Sequence, residues 1–106
     1  EMDVYSTVRI PFTTAVFGGE ALVSTLYGNV LCRIAAGTQS GTKIKLKGKG
    51  IVSMKNPSIH GNQYVTVQID VPNHLTPEAE QKLREFEHAC GLNKNSQGGP
   101  NGRSAA

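Results

Sequence analysis

Residues 37–51 read GTQSGTKIKLKGKGI. A turn cluster, Gly37-Thr38-Gln39-Ser40-Gly41, feeds a run in which Ile44 and Leu46 alternate with Lys43, Lys45 and Lys47, the period-two pattern of a half-buried strand. Two aliphatic side chains are expected to point inward and three ammonium groups to water. Gly48 and Gly50 bracket Lys49, and glycines just past a strand mark a bulge, a positive φ or a close approach of backbones. The strand is therefore expected to end in a kink, from which Ile51 and Val52 leave on a new line.

Residues 63–71 (QYVTVQIDV) form the cleanest alternation in the chain, with Val65, Val67, Ile69 and Val71 inward and Tyr64, Thr66, Gln68 and Asp70 outward. Pro72 ends that strand, because it has no N–H for a ladder. Residues 52–62 (VSMKNPSIHGN) carry turn chemistry without a period and read as a loop. Upstream, residues 30–34 place Val30, Cys32 and Ile34 on one face, opposite Leu31 and Arg33. They return antiparallel on the strand at 20–25 through the turn Leu26-Tyr27-Gly28-Asn29. Residues 3–10 alternate Val4, Val8 and Ile10 against Tyr5, Thr7 and Arg9. Pro11 stops them, and residues 12–17 (FTTAVF) make one or two helical turns before Gly18-Gly19, with Phe12, Ala15 and Val16 toward the core. Downstream, Thr76 as N-cap, Pro77 at the first helical position and Glu78 and Glu80 in the first turn announce a helix. Its expected apolar stripe is Ala79, Leu83, Phe86 and Cys90, its expected ion pairs are Glu78–Lys82 and Glu80–Arg84, and Gly91 closes it. Short strands at this spacing argue for a sandwich or an open barrel.

The 106 residues suit one domain, and 12 glycines with no tryptophan fit a small β fold better than a helical bundle. Net charge is +3, unevenly spread: between Glu20 and Asp70 stand Arg33, Lys43, Lys45, Lys47, Lys49 and Lys55 with no acid, whereas residues 76–90 hold Glu78, Glu80, Glu85 and Glu87 against Lys82 and Arg84. Cys32 and Cys90 are too few and too separated for a disulfide framework or a zinc site, so both read as thiols of an intracellular, reducing setting. No apolar run reaches the roughly 20 residues of a membrane span, and no targeting segment stands out. The chain opens at Glu1, as a piece of a longer protein would.

Catalysis finds little footing. His60, His74 and His88 fall in a loop, a turn and a helix with no carboxylate or thiol at ligand spacing. Gly48-Lys49-Gly50 lacks the G-x-x-x-x-G-K-[ST] frame of a phosphate loop. Lys43, Lys45, Lys47 and Lys49, read as lying on one strand face, are candidates for RNA or another anionic surface. No aromatic residue is interleaved with them for base stacking, and a solvated edge that blocks aggregation explains the same lysines. Phe17, Leu26, Tyr27, Ile51 and Met54 lie beside glycines or turns; left open next to an unpaired strand edge, they would make a peptide-binding groove.

Taken together, FTTAVFGGEALVSTLYGNV, IAAGTQSGTKIKLKGKGIV, GNQYVTVQIDVP and LTPEAEQKLREFE resemble the second C-terminal β domain of DnaJ-type J-domain co-chaperones, the heat-shock protein 40 family, over about residues 3–90. Gly37, Thr38, Gln39, Gly41, Leu46, Gly48, Lys49 and Gly50 match the family's Gly-Thr-Gln-x-Gly turn, basic strand and Gly-Lys-Gly ending in place. Ser24 and Ala36 stand where the family usually has proline, and Asn62-Gln63 where it often has Asp-Leu. The His-Pro-Asp tripeptide and the Cys-x-x-Cys-x-Gly-x-Gly zinc repeats of the whole family protein are not in this sequence. The resemblance implies a mainly β fold, a small two-layer sandwich with a short helix after the first strand and a C-terminal helix; beyond it NKNSQGGPNGRSAA at 93–106 offers nothing to bury, so 91–106 is expected to be a disordered tail. It also implies a non-enzymatic domain without cofactor that binds or spaces unfolded client polypeptide and works with a DnaK-type ATPase. In full length it implies a homodimer, in a cytosol or an organelle matrix such as the mitochondrion's, with no membrane partner. Client contacts are then expected at Phe17, Leu26, Tyr27, Ile51 and Met54.

Overall fold

A computed structural model describes residues 2–92; the expected tail lies outside the described residues from 93 onward. The chain divides into two compact units, Glu1–Val71 and a second that begins at Pro72. In the first, β1 (Val4–Pro11) leads into α1 (Phe12–Phe17), the hairpin β2 (Gly19–Thr25) and β3 (Gly28–Ile34), then β4 (Lys43–Leu46) and β5 (Gln63–Asp70). The fold is mainly β, with two small sheets.

β5 sits in the middle of a three-stranded sheet ordered β1-β5-β4, and β2-β3 form a second, two-stranded sheet. β1 runs parallel to β5, Val4 opposite Gln63 through Pro11 opposite Asp70, and β4 runs antiparallel to it, Lys43 opposite Thr66 and Leu46 opposite Gln63. Alternation decides which side each sheet buries. Ile10, Ala15, Ile34 and Val67 form one cluster with Val8, Ala21, Ile44 and Ile69 packed against it. Val23, Cys32 and Val65 form a second, joined by Val8, Val30, Ile44 and Leu46. Ile44 therefore belongs to both clusters, and the lysine strand seals one wall of a thin core as its alternation requires. Each fully buried aliphatic side chain here contributes on the order of 1.5–3 kcal/mol.

The Gly-Thr-Gln turn is locked to α1. The amides of Gly37 and Thr38 both donate to the Ala15 carbonyl, at 2.7 and 3.1 Å, and the Thr42 hydroxyl donates to the Gln39 carbonyl at 2.7 Å. Gly41 N–H then reaches Val67 O and Val67 N–H reaches Thr42 O, both at 2.8 Å, so the turn hands the chain directly onto β5. This backbone lies so close to α1 that only Ala15 is buried there. Phe12 and Val16, expected to face the core, remain exposed, because a six-residue helix lays one small residue on the sheet and turns its longer ones away. Val71, also expected inward, is 82% exposed: the ladder stops at Pro11 and Asp70, and Val71 has no rung beyond it.

Cys32 and Cys90 are free thiols, the first buried and the second exposed. Burial pushes the Cys32 thiol up from its ordinary value, which keeps it protonated and unreactive. Iodoacetamide at pH 8 should therefore add one adduct to the native chain, at Cys90, and a second only when urea opens the core; two adducts on the native chain would contradict the buried placement.

The second unit holds α2 (Pro77–Cys90). Its cap forms as the sequence predicts: Thr76 Oγ1 accepts from Ala79 N–H at 3.1 Å, and Gly91 adopts φ 70° at the C-terminus. Arg84 pairs with Glu80 at 2.9 Å. Lys82 turns to Glu85 at 4.0 Å rather than to Glu78, a pair of little energetic weight at this exposure. The expected stripe of Ala79, Leu83, Phe86 and Cys90 supplies no buried residue. No described helix is long and apolar enough to cross a membrane.

Candidate functional site

Two surfaces emerge, one apolar and one charged. The apolar one starts at the tip of the β2–β3 hairpin. Thr25 Oγ1 donates to Gly28 O at 2.6 Å and accepts from Tyr27 N–H at 3.0 Å, while Gly28 takes φ 107°; this knot leaves Leu26 in solvent and swings Tyr27 sideways. The Tyr27 hydroxyl donates to Gly50 O at 2.6 Å and lies 3.2 Å from His60 Nδ1. With the phenol proton committed to Gly50, the imidazole Nδ1–H is the donor to the Tyr27 oxygen. Lys49 Nζ stands 5.9 Å from the Tyr27 ring centroid, within cation–π range.

Residues 50–61 are better ordered than turn chemistry alone suggests. Ile51 N–H donates to Met2 O at 2.6 Å, Gly61 N–H to Ile51 O at 2.9 Å and Ser53 N–H to Ile59 O at 2.8 Å, and Val52 bridges His60 antiparallel. The segment expected to be a plain loop is thus a narrow two-stranded ribbon. Its tip is tied by Asn56 Oδ1, which accepts from Ser58 N–H at 3.1 Å. Met54 stands on that tip, 99% exposed. Tyr27 and Ile51 are therefore brought together through Gly50, with Leu26 next in the chain and Met54 on the ribbon beyond. Phe17 is not brought to them. It ends α1, beside the Gly19–Ile34 end of the hairpin, whereas Leu26 and Tyr27 occupy the Thr25–Gly28 end, about 20 Å away along a seven-residue strand.

One apolar pair escaped the sequence reading. Leu22 lies directly opposite Leu31, and both are exposed, so the outer face of the hairpin carries an aliphatic rung that leads toward Leu26 and Tyr27. The signal was the unbroken apolar run Ala21-Leu22-Val23, which makes both faces of β2 apolar.

The lysines divide. Lys43 and Lys45 project outward from β4, but the strand stops at Leu46, where Gly48 at φ 76° bends the chain and its N–H is held by Asn62 Oδ1 at 3.0 Å. Lys47 follows in solvent, and Lys49 turns onto Tyr27. Four lysines do not share one strand face, because the kink intervenes. Nor does the lysine face lack aromatic residues: register places Tyr64 directly across from Lys45 and Tyr5 across from Tyr64. Among the described residues, no three His, Cys, Asp or Glu side chains gather as metal ligands.

Comparison with known proteins adds an independent line. A family model described as the DnaJ C terminal domain matches residues 1–72, the whole first compact unit and one residue beyond it. The chain is 41% identical to the chaperone protein DnaJ of Parageobacillus thermoglucosidasius over 95% of this chain and 26% of that protein. With its counterpart from Clostridium perfringens it shares 44% over 84% of this chain and 23% of the relative, and with that of Burkholderia thailandensis 42% over 92% and 24%. The chain thus spans about a quarter of the length of the curated relatives it matches.

Proposed function

Because this chain belongs to the DnaJ C-terminal domain family, we propose that it is a client-holding domain of a DnaJ co-chaperone: a non-enzymatic module that binds unfolded polypeptide and, in the full-length protein, presents it to a DnaK-type ATPase. The observation that carries this reading is the row of solvent-facing apolar side chains on the hairpin and its neighbour, Leu22 and Leu31, then Leu26 and Tyr27, then Ile51 and Met54. Each hairpin strand has a single partner among the described strands. Free edges beside apolar side chains accept an extended chain through backbone hydrogen bonds and let its alternate side chains find apolar contact. Phe17, at the far end, acts as a separate minor contact. Free Cys32 and Cys90 suit a reducing cytosol or organelle matrix, and dimerisation belongs to the full-length protein.

Apolar recognition predicts how binding responds to salt. A labelled, permanently unfolded polypeptide, followed by fluorescence anisotropy, should hold its affinity within about twofold between 50 and 200 mM salt, because no phosphate-like charge is being neutralised. Leu26→Ser combined with Met54→Ser should weaken binding about tenfold or more, the worth of one buried aliphatic side chain. Affinity that collapses with salt and ignores these substitutions would refute the reading.

A further inference from the structure

The solvent face of the three-stranded sheet is built from a different chemistry, and it stands apart from the hairpin. On one rung Tyr5, Tyr64 and Lys45 lie side by side across β1, β5 and β4; on the next lie Thr7, Thr66 and Lys43. The two tyrosine rings stack, with centroids 5.5 Å apart and planes 20° from parallel. Tyr5 is 73% exposed. Past it, Arg9 is taken up by Asp70, Nε to Oδ1 at 2.8 Å, which leaves Lys43 and Lys45 as the cations of this face, with Lys47 in solvent just past the end of β4, all three without a carboxylate partner among the described ion pairs.

A cross-strand aromatic pair supports its sheet, but such support needs no cations in register beside it. A solubilising lysine edge, for its part, needs no stacked rings. One class of ligand uses both: planar groups that extend a ring stack, joined by anions at a regular interval. We propose that this face binds single-stranded nucleic acid, with a base stacked on the open side of Tyr5 and with Lys45, Lys43 and Lys47 taking neighbouring phosphates. Lys43 and Lys45 are two residues apart on one face, about 6.8 Å, close to the phosphate repeat of an extended single strand. A duplex hides its base faces and gains nothing from Tyr5. An acidic peptide satisfies the lysines but leaves the rings unused. Stacking tolerates any base, so the site is one of low sequence preference. Lys49, folded onto Tyr27, takes no part.

The test uses the 106-residue chain and a fluorescein-labelled 15-residue oligothymidylate, with anisotropy read from 25 to 200 mM NaCl. Tyr5→Ala should weaken binding at least about fivefold, the smallest value expected for loss of one stacked base, without changing the salt slope. Tyr5→Phe should bind within about twofold of the parent. Lys45→Ala should lower the slope of log K against log salt by about 0.7, one single-strand phosphate contact, while Lys49→Ala leaves it unchanged. In the unmodified protein the ring protons of Tyr5 and Tyr64 should move upfield when oligonucleotide is added, a readout that does not depend on any variant folding. The proposal is overturned if the parent fails to bind at 25 mM NaCl, if Tyr5→Ala binds like the parent, if the ring protons stay in place, or if a polyglutamate peptide of equal charge displaces the oligonucleotide at equal concentration.

Discussion

Glutamate in place of Gln63 should cost about 3–4 kcal/mol more stability at pH 7 than at pH 4. Gln63 opens β5 on the core side, 1% exposed, and its amide Nε2 donates to Ser6 Oγ at 2.9 Å and to Ser24 O at 3.1 Å, stitching the two sheets together. Its Oε1 is buried without a partner. A carboxylate there would carry charge into the core and set an acceptor against the Ser24 carbonyl, so the acid is held protonated and its folded pKa rises far above the roughly 4.3 of the unfolded chain. A raised pKa means that the folded state binds the proton more tightly, so relative stability is intact below about pH 4.3 and falls as pH rises. Once the folded value exceeds 7, the loss at pH 7 is set by roughly 2.7 units at 1.36 kcal/mol each. The penalty therefore saturates near 3.7 kcal/mol, a large share of the 5–15 kcal/mol a small domain possesses. Urea melts of variant and parent at both pH values measure it. Gln63→Leu, which removes the orphaned oxygen but also takes the amide donor from Ser6 Oγ and Ser24 O, should cost about 1–3 kcal/mol and, carrying no charge, the same at both pH values. Equal loss for Gln63→Glu at pH 4 and pH 7 would mean the position is wet.

Gly50→Ala should cost about 3 kcal/mol, roughly three times Gly48→Ala, although the two glycines flank the same lysine. Gly48 sits at φ 76° with nothing within 4 Å of a built Cβ, so alanine there meets only left-handed strain of about 1 kcal/mol. Gly50 has no positive φ, but its Cβ would run into the Met2 carbonyl oxygen, Asn62 N and Gly61 C, the last two at 2.6 Å. All three are backbone atoms, held there by the Ile51-to-Met2 bond at 2.6 Å and the Gly50-to-Gly61 bond at 2.9 Å. None can rotate aside, so the N-terminal segment must lift or the ribbon must shift, an overpacking cost at the upper end of the usual range. Denaturation midpoints of the two variants decide it. A Gly50→Ala variant as stable as Gly48→Ala would show that residues 2 and 61 do not close over residue 50.

The surroundings of these two glycines show why some of the fold is legible in the sequence and some is not. β1 to β5 and both helices follow from local signals, alternation, Pro11 and Pro72 as stops, Thr76 and Gly91 as caps, whereas the ribbon bridged at Val52 and His60 does not. Gly50 was marked as special because it follows a strand, but the atoms that make it so belong to Met2, far away in the chain. Gly61 looked like ordinary turn chemistry for the same reason. The parallel pairing of β1 with β5 is equally non-local, since nothing between residues 11 and 63 announces it. Because that pairing sets the register, the sequence could list Tyr5, Tyr64 and Lys45 but could not put them on one rung. Gln63 and Ser24 lie far apart in the sequence, and only the structure shows the two hydrogen-bonded. At the candidate site, Leu26, Tyr27, Ile51 and Met54 are exposed beside their turns, while Phe17 lies at the opposite end of the hairpin, a separation that adjacency to glycine does not reveal.

An isotope-labelled 106-residue chain titrated with a permanently unfolded polypeptide, with amide shifts recorded residue by residue, tests most directly the claim that clients are held on the apolar hairpin and ribbon. The account predicts shifts at Leu22, Leu26, Tyr27, Leu31, Ile51 and Met54, with Lys43, Lys45, Tyr5 and Tyr64 unmoved. Shifts confined to the sheet face of Tyr5, Tyr64, Lys43 and Lys45, with the hairpin silent, would contradict it.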